Sequence, residues 1–362
     1  MMTMEEISSN TQILSSTNDR ITFMASLLDE LTQLHQKNCE PYRKIVESFF
    51  CEYHPLSLIE QVPFIPIGLF KQIDLMSVPS TSIVRTLKSS GTSGSTSSVF
   101  LDKVTAINQI KVLTKIFQQS VSSRKIPMIV VDYERTSNPE DSINARIAAV
   151  KGFSIFASET YFLLDQNSKI RIDLLKEIQG KYENSEVFFF GFTFVIWNDL
   201  LEKLEEAGIG LKFPQATLIH GGGWKKLADL AVSNEEFKDR AKDRLGVNKV
   251  LNYYGMAEQT GSLYFECEES FLHTTPFGYV IIRDFRDLSV SENGEIGIVQ
   301  LLSVIPRSYP GHSILTEDIG LVIGDGGCKC RKPGRYFKIL GRLPEAEIRG
   351  CSDVYGNIKR KF

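Results

Sequence analysis

The sequence predicts an α/β fold with a largely parallel, buried sheet flanked by helices and followed by a β-rich sublobe. Three observations predict it. Short β-branched or aromatic runs alternate with helical stretches between residues 128 and 253, which is the pattern of βαβ units. After about Tyr264 the character changes to hairpin-like strands separated by Gly and Asp turns. A chain of 362 residues also exceeds the size at which one hydrophobic core usually stops growing, so sub-lobes or two domains are expected.

Taken in order, the N-terminal part carries a helical period at Phe23, Leu27, Leu28, Leu31 and Leu34, and a second amphipathic segment runs from Tyr42 to Phe50. Met128 to Val131, Val187 to Phe190, Thr217 to Ile219 and Val250 to Tyr253 read as strands. Leu174 to Tyr182, Val195 to Ala207 and Glu235 to Arg244 read as the helices between them. In the β-rich part the expected strands are Tyr279 to Ile282, Ile296 to Leu302, Gly320 to Ile323 and Tyr336 to Leu340. The expected divisions are an α/β core with N-terminal helices over 1–270, a β-rich sublobe over 271–340 and a short tail over 341–362.

Composition excludes several classes. With 42% hydrophobic and 23% charged residues the chain is too apolar for disorder. A formal net charge of -3 argues against a nucleic-acid partner, and the basic run Lys359-Arg360-Lys361 reads as a solvated tail. The start, Met1 to Asp19, is polar and lacks the apolar core of a secretory signal, and no run approaches the ~18 apolar residues of a membrane span. Six cysteines in so long a chain do not make a disulfide framework, so a cytoplasmic location is expected.

Lys88 to Ser98 reads KSSGTSGSTSS. Two glycines supply backbone freedom, and hydroxyls and amides supply donors that can wrap phosphate oxygens. The segment lacks the Gly-Lys-Ser/Thr ending of a Walker loop, and a flexible surface loop would have a similar composition. Its company is what gives it meaning. Tyr254-Gly255-Met256-Ala257-Glu258 comes after an expected strand, Thr316-Glu317-Asp318-Ile319-Gly320 precedes another, and Gly341-Arg342 comes after a third. In that order the four segments resemble the adenylate-forming superfamily of acyl-CoA synthetases, luciferases and peptide-synthetase adenylation domains.

The resemblance implies the fold of the N-terminal domain of those enzymes. It places Ser90, Gly91, Thr92, Ser93, Gly94 and Ser95 around the phosphates of ATP and Glu258 on Mg²⁺, which prefers hard oxygen ligands. It gives Tyr254 and Gly255 to the nucleotide site, Asp318 to the ribose hydroxyls and Arg342 to the nucleotide. His220-Gly221-Gly222-Gly223-Trp224 falls where the family has its adenine-facing glycine turn, so Gly222 and Gly223 join the nucleotide site. Members of the superfamily continue past the Gly-Arg element into a further domain, most of which is expected to be lacking here. In its place stands Glu345-Ala346-Glu347-Ile348-Arg349-Gly350-Cys351-Ser352.

That segment, with Asn144 to Val150 and Gly191 to Trp197, is similar to the LuxE-type acyl-protein synthetases, in which such a cysteine becomes S-acylated. The resemblance implies activation of a carboxylic acid, a fatty acid in this family, and transfer of the acyl group to Cys351. An acyl reductase or acyltransferase partner would then collect it. Two other readings stay open at this level: an acyl- or aryl-CoA ligase that uses free CoA, and a non-catalytic relative that retains the fold. A buried structural cysteine is the plain alternative for Cys351.

Cys267 and His273 in one segment, with Cys328 and Cys330 in another, supply a Cys₃His set that suits structural Zn²⁺. The spacing is looser than that of a paired Cys-x-x-Cys knuckle, and each pair is expected on a turn. Four protein ligands would leave no open position, so the expected role is a brace.

Overall fold

The computed structural model describes residues 17–50, 58–88, 96–134, 145–224 and 232–343. These form helices α1 (Thr17–Asn38), α2 (Glu40–Phe49), α3 (Lys103–Ser120), α4 (Ala145–Ser154), α5 (Ile172–Lys181), α6 (193–206) and α7 (Asn234–Leu245). The first eight strands are β1 (Ile65–Pro66), β2 (Ile83–Lys88), β3 (Ser98–Asp102), β4 (Ile126–Tyr133), β5 (Ala157–Leu164), β6 (Val187–Phe192), β7 (Ala216–Gly221) and β8 (Lys249–Gly255). The β-rich part adds β9 (Leu263–Phe265), β10 (Leu272–His273), β11 (Gly278–Arg283), β12 (Gly297–Ser303), β13 (Ser313–Asp325) and β14 (Arg335–Arg342). Each strand and helix expected from the sequence has a counterpart, most within a few residues at their ends; β13, however, begins at Ser313 rather than near Gly320, so Thr316 to Gly320 lies inside that strand and not before it. No helix among the described residues is long and apolar enough to cross a membrane.

The chain divides into two compact units. The one built on residues 117–254 is an α/β unit whose strands run parallel in the order β5-β4-β6-β7-β8. All six residues of β6, VFFFGF, are buried, as a central strand covered on both faces requires. Phe189, Leu218, Leu200, Leu204 and Phe237 share its core. Inside α6, residues Ile196–Leu201 form a turn of π-helix and are all buried. Helix α7 has a defined start and stop. The Ser233 hydroxyl accepts the Glu236 N–H at 3.0 Å, and Gly246 at φ 62° closes the helix where a Cβ would lie 2.7 Å from the Leu211 carbonyl.

The other unit gathers the described residues among 17–88, 96–116 and 255–343. Its main sheet is antiparallel in the order β10-β14-β13-β12-β11, with β1 lying parallel to β13. Strands β2 and β3 form a separate hairpin. Helices α1 and α2 are anchored by polar contacts as well as apolar ones: His35 Nδ1 meets the Ser77 hydroxyl at 2.7 Å, and His312 Nε2 meets the hydroxyls of Thr32 at 3.0 Å and Tyr42 at 3.3 Å. The two imidazoles stack with centroids 4.9 Å apart.

Burial holds His35 down to about 3 and His312 well below the ordinary histidine value. In the α/β unit burial holds His220 down to about 3 as well. Because the folded values lie below those of the unfolded chain, the unfolded state binds protons first as pH falls through about 6.5, and the native state does so only at much lower pH, near 3 for His35 and His220. Stability contributed by the neutral rings is therefore complete above about pH 7 and is lost progressively below it. At pH 5 the expected loss is about 2 kcal/mol for each ring. Thermal unfolding at pH 8 and pH 5 checks this; a slope left unchanged by His312→Gln contradicts the assignment.

Candidate active site

In the β-rich unit Glu258 lies in the turn after β8, with only 5% of its surface exposed. The Ser97 hydroxyl, itself buried, donates to Glu258 Oε1. The turn is held from beneath. Tyr309 OH donates to the Glu258 carbonyl at 3.0 Å and accepts the Thr260 N–H at 3.0 Å. The Gln259 side-chain amide donates to the carbonyls of Leu301 at 2.8 Å and Gly311 at 3.2 Å, while its oxygen accepts from Ser262 at 2.7 Å. Gly255 carries no side chain because a Cβ there would sit 2.8 Å from the Ser262 carbonyl. The result is a buried carboxylate in a fixed orientation.

Asp318 and Arg342 face each other across β13 and β14 as a ladder pair. Arg342 Nη2 contacts Glu317 Oε2 at 2.8 Å, and its Nε lies 3.4 Å from Asp318 Oδ1. The Asp318 N–H is fixed by the Thr316 hydroxyl at 3.0 Å, which donates to the Val299 carbonyl at 2.7 Å. All three charged side chains keep some exposure, so they can meet a ligand. Residues Ser90 to Ser95 lie outside the described residues, but the roots of their segment are pinned because Lys88 pairs with Ser98 in the hairpin of β2 and β3.

In the α/β unit the strand order reverses between β4 and β6, and ligands of such sheets bind beyond the carboxyl ends of the strands. There the His220-to-Trp224 turn closes β7. A Cβ on Gly221 would sit 2.7 Å from the Tyr253 ring, and one on Gly222, at φ 82°, would sit 2.5 Å from the Phe192 ring. Gly223, at φ 56°, faces open space. The glycines at 221 and 222 let bare backbone lie against two aromatic rings. Tyr254 stands at the carboxyl end of β8. At the carboxyl end of β4 the Arg146 guanidinium clasps the Asp132 carboxylate through Nη2 at 2.6 Å and Nε at 2.8 Å, both residues being buried. Sequence reasoning did not single out this pair.

The four metal-binding candidates do come together. One ligand atom from each of Cys267, His273, Cys328 and Cys330 lies within 4.8 Å of every other. The sulfurs of Cys267 and Cys328 are 4.0 Å apart, and Cys330 Sγ is 3.3 Å from His273 Nε2. Zinc–sulfur bonds of about 2.3 Å in a tetrahedron put sulfurs about 3.8 Å apart, so the spacing fits. The Lys332 N–H points at Cys330 Sγ from 3.5 Å. His273 sits on β10, paired with Tyr336 of β14, and Cys328 and Cys330 lie in the connection from β13 to β14.

The family model for the acyl-protein synthetase LuxE matches residues 5–359. The chain belongs to the LuxE family. That makes it a ligase, as the resemblance implied. Similar proteins include the long-chain-fatty-acid–luciferin-component ligase of Aliivibrio fischeri, 24% identical over 347 residues, which cover 92% of this chain and 88% of that one. The ligase of the same description from Vibrio harveyi is 25% identical over 138 residues, 37% of this chain and 35% of its own. Among solved structures, an open conformation of 2-hydroxyisobutyryl-CoA ligase in complex with 2-HIB-AMP and CoA superposes with a TM-score of 0.69. The alignment covers 91% of this LuxE-family chain and 76% of that one at 15% identity. The fold is therefore that of the adenylate-forming ligases. Cys351 lies outside the described residues.

Proposed function

We propose that this LuxE-family ligase activates a fatty acid with ATP and then carries the acyl group on Cys351. The observation that bears most weight is the buried Glu258 turn, tied through Ser97 to the root of the Ser/Gly segment, in a chain matched to the family almost end to end. In the first half-reaction an oxygen of the substrate carboxylate attacks the α-phosphorus of ATP, pyrophosphate leaves, and an acyl-adenylate forms. Mg²⁺, when bound, neutralises phosphate charge and orients the leaving group. Glu258 supplies a hard oxygen ligand for it. Ser90 to Ser95 hold the phosphates, Asp318 accepts from the ribose hydroxyls, Arg342 bonds the nucleotide, and the Gly222–Gly223 backbone with Tyr254 and Gly255 frames the base. In the second half-reaction the Cys351 thiolate attacks the acyl carbon of the mixed anhydride and AMP departs with the bonding electrons, leaving a thioester. A reductase or acyltransferase partner receives the acyl group, and the cytoplasm keeps the thiols reduced.

Intact-mass measurement after incubation with ATP, Mg²⁺ and a panel of carboxylic acids tests the reading. One added acyl group, removed by neutral hydroxylamine, is expected with a fatty acid; no mass gain with any member of the panel contradicts it.

Cys267, His273, Cys328 and Cys330 hold a structural Zn²⁺ in the same reading. It pins β10, which bears His273, to the connection before β14, whose far end carries Arg342. The purified protein should contain about one equivalent of zinc. Cys328→Ser and Cys330→Ser should lose it together with several degrees of thermal stability. A fully folded wild type that neither contains zinc nor takes it up contradicts the assignment.

A further inference from the structure

Residues 304–312 join β12 to β13 without regular secondary structure, yet Ser308 to His312 are all buried. Irregular segments ordinarily run over the surface, because their backbone groups need partners that an interior seldom provides. Here each partner is specific. The Ser308 hydroxyl donates to the Phe100 carbonyl of β3 at 2.7 Å, and its N–H meets the Thr105 hydroxyl at the start of α3 at 3.2 Å. The Ser308 carbonyl accepts the Ser77 N–H at 2.8 Å. The adjoining Tyr309 reaches the other way, to the Glu258 carbonyl and to Thr260. The Gly311 carbonyl accepts from Gln259, and a Cβ on Gly311 would overlap the Tyr309 ring.

Two neighbouring residues therefore hold the strand after Ser97 with one side chain and the turn that bears Glu258 with the next. Ser97 immediately precedes β3, and its hydroxyl closes the circuit on Glu258 Oε1. We infer that Ser97 and Tyr309 are positioning residues: together they fix which oxygen of the Glu258 carboxylate is turned toward the metal–nucleotide complex. Ser97 occupies Oε1, which leaves Oε2 for the cation, and Tyr309 sets the backbone from which the carboxylate projects. The inference rests on Glu258 being the Mg²⁺ ligand of the proposed function.

The test uses the full-length protein and Mn²⁺·ATP, with bound Mn²⁺ counted by electron paramagnetic resonance. Ser97→Ala and Tyr309→Phe should each weaken Mn²⁺·ATP binding about tenfold, as loss of a group that orients a metal ligand does. The Mg²⁺ concentration for half-maximal pyrophosphate exchange should rise in parallel. Ser97→Thr, which keeps the hydroxyl, should restore both. Thr32→Val removes a hydrogen bond to His312 on the same segment, and should lower the unfolding temperature while leaving Mn²⁺ affinity unchanged. Should Glu258→Gln weaken Mn²⁺ binding while Ser97→Ala and Tyr309→Phe bind as wild type does, the positioning role is overturned and the ligand assignment stands. Unchanged Mn²⁺ binding in Glu258→Gln overturns both. A loss in Thr32→Val equal to that in Tyr309→Phe marks the effect as general loosening and also overturns the inference.

Discussion

Glu258→Gln is expected to depress pyrophosphate exchange by about a hundredfold or more at ordinary Mg²⁺, with little change in folding. The amide is nearly isosteric, and the Ser97 hydroxyl can still donate to its oxygen, so the turn held by Tyr309 and Gln259 should persist. What disappears is the negative charge that a hard cation requires, and with it the neutralisation of the phosphates as the bond to phosphorus forms. Asp318→Ala should produce a smaller defect that shows chiefly as a raised KM for ATP. It removes the carboxylate proposed to accept from the ribose and leaves Arg342 paired with Glu317 alone. Near-normal exchange in both variants would contradict the nucleotide assignment as a whole.

Cys351→Ser should separate the two half-reactions. The nucleotide contacts all lie elsewhere in the chain, so exchange should continue near the wild-type rate, while covalent acyl-protein falls to a trace. The reason is chemical. A thiol is partly ionised near neutral pH and its anion is a strong nucleophile, whereas a serine hydroxyl needs a base to reach comparable reactivity. Peptide mapping of the acylated wild type should place the acyl group on Cys351. An acyl mass that persists in Cys351→Ser, or maps to Cys39, Cys51 or a lysine, refutes self-acylation while leaving carboxylate activation intact. AMP formation that requires CoA and survives Cys351→Ala points instead to an acyl-CoA ligase.

The parts of this architecture that were legible in the sequence are local. Glu258 and the glycine turn after β7 each stand within five residues of a legible strand, because a strand and the turn that follows it are adjacent in the chain, whereas the Thr316-to-Gly320 segment, expected before a strand, lies inside β13. Strand β6 was legible because a strand buried on both faces reads as an unbroken apolar run. Strand β5 was not: Ser158, Glu159 and Thr160 are exposed and interrupt its apolar pattern. The supports of the site were invisible for another reason. Ser97 and Glu258 are 161 positions apart and Tyr309 and Glu258 are 51 apart, and only the fold brings them within hydrogen-bond reach. Asp132 and Arg146 are nearer in sequence, yet a charged pair gives no sign of burial until the sheet and helix enclose it. The Cys₃His set lies between these cases, since ligand type marked the residues although their spacing was loose.

Whether this chain makes an acyl-adenylate is read out by carboxylate-dependent exchange of labelled pyrophosphate into ATP, because exchange occurs only if that intermediate forms reversibly. Exchange by the wild-type protein is expected, and it should require Mg²⁺ and an added fatty acid and be independent of CoA. Folded, nucleotide-binding protein that exchanges no label with any carboxylic acid would contradict it.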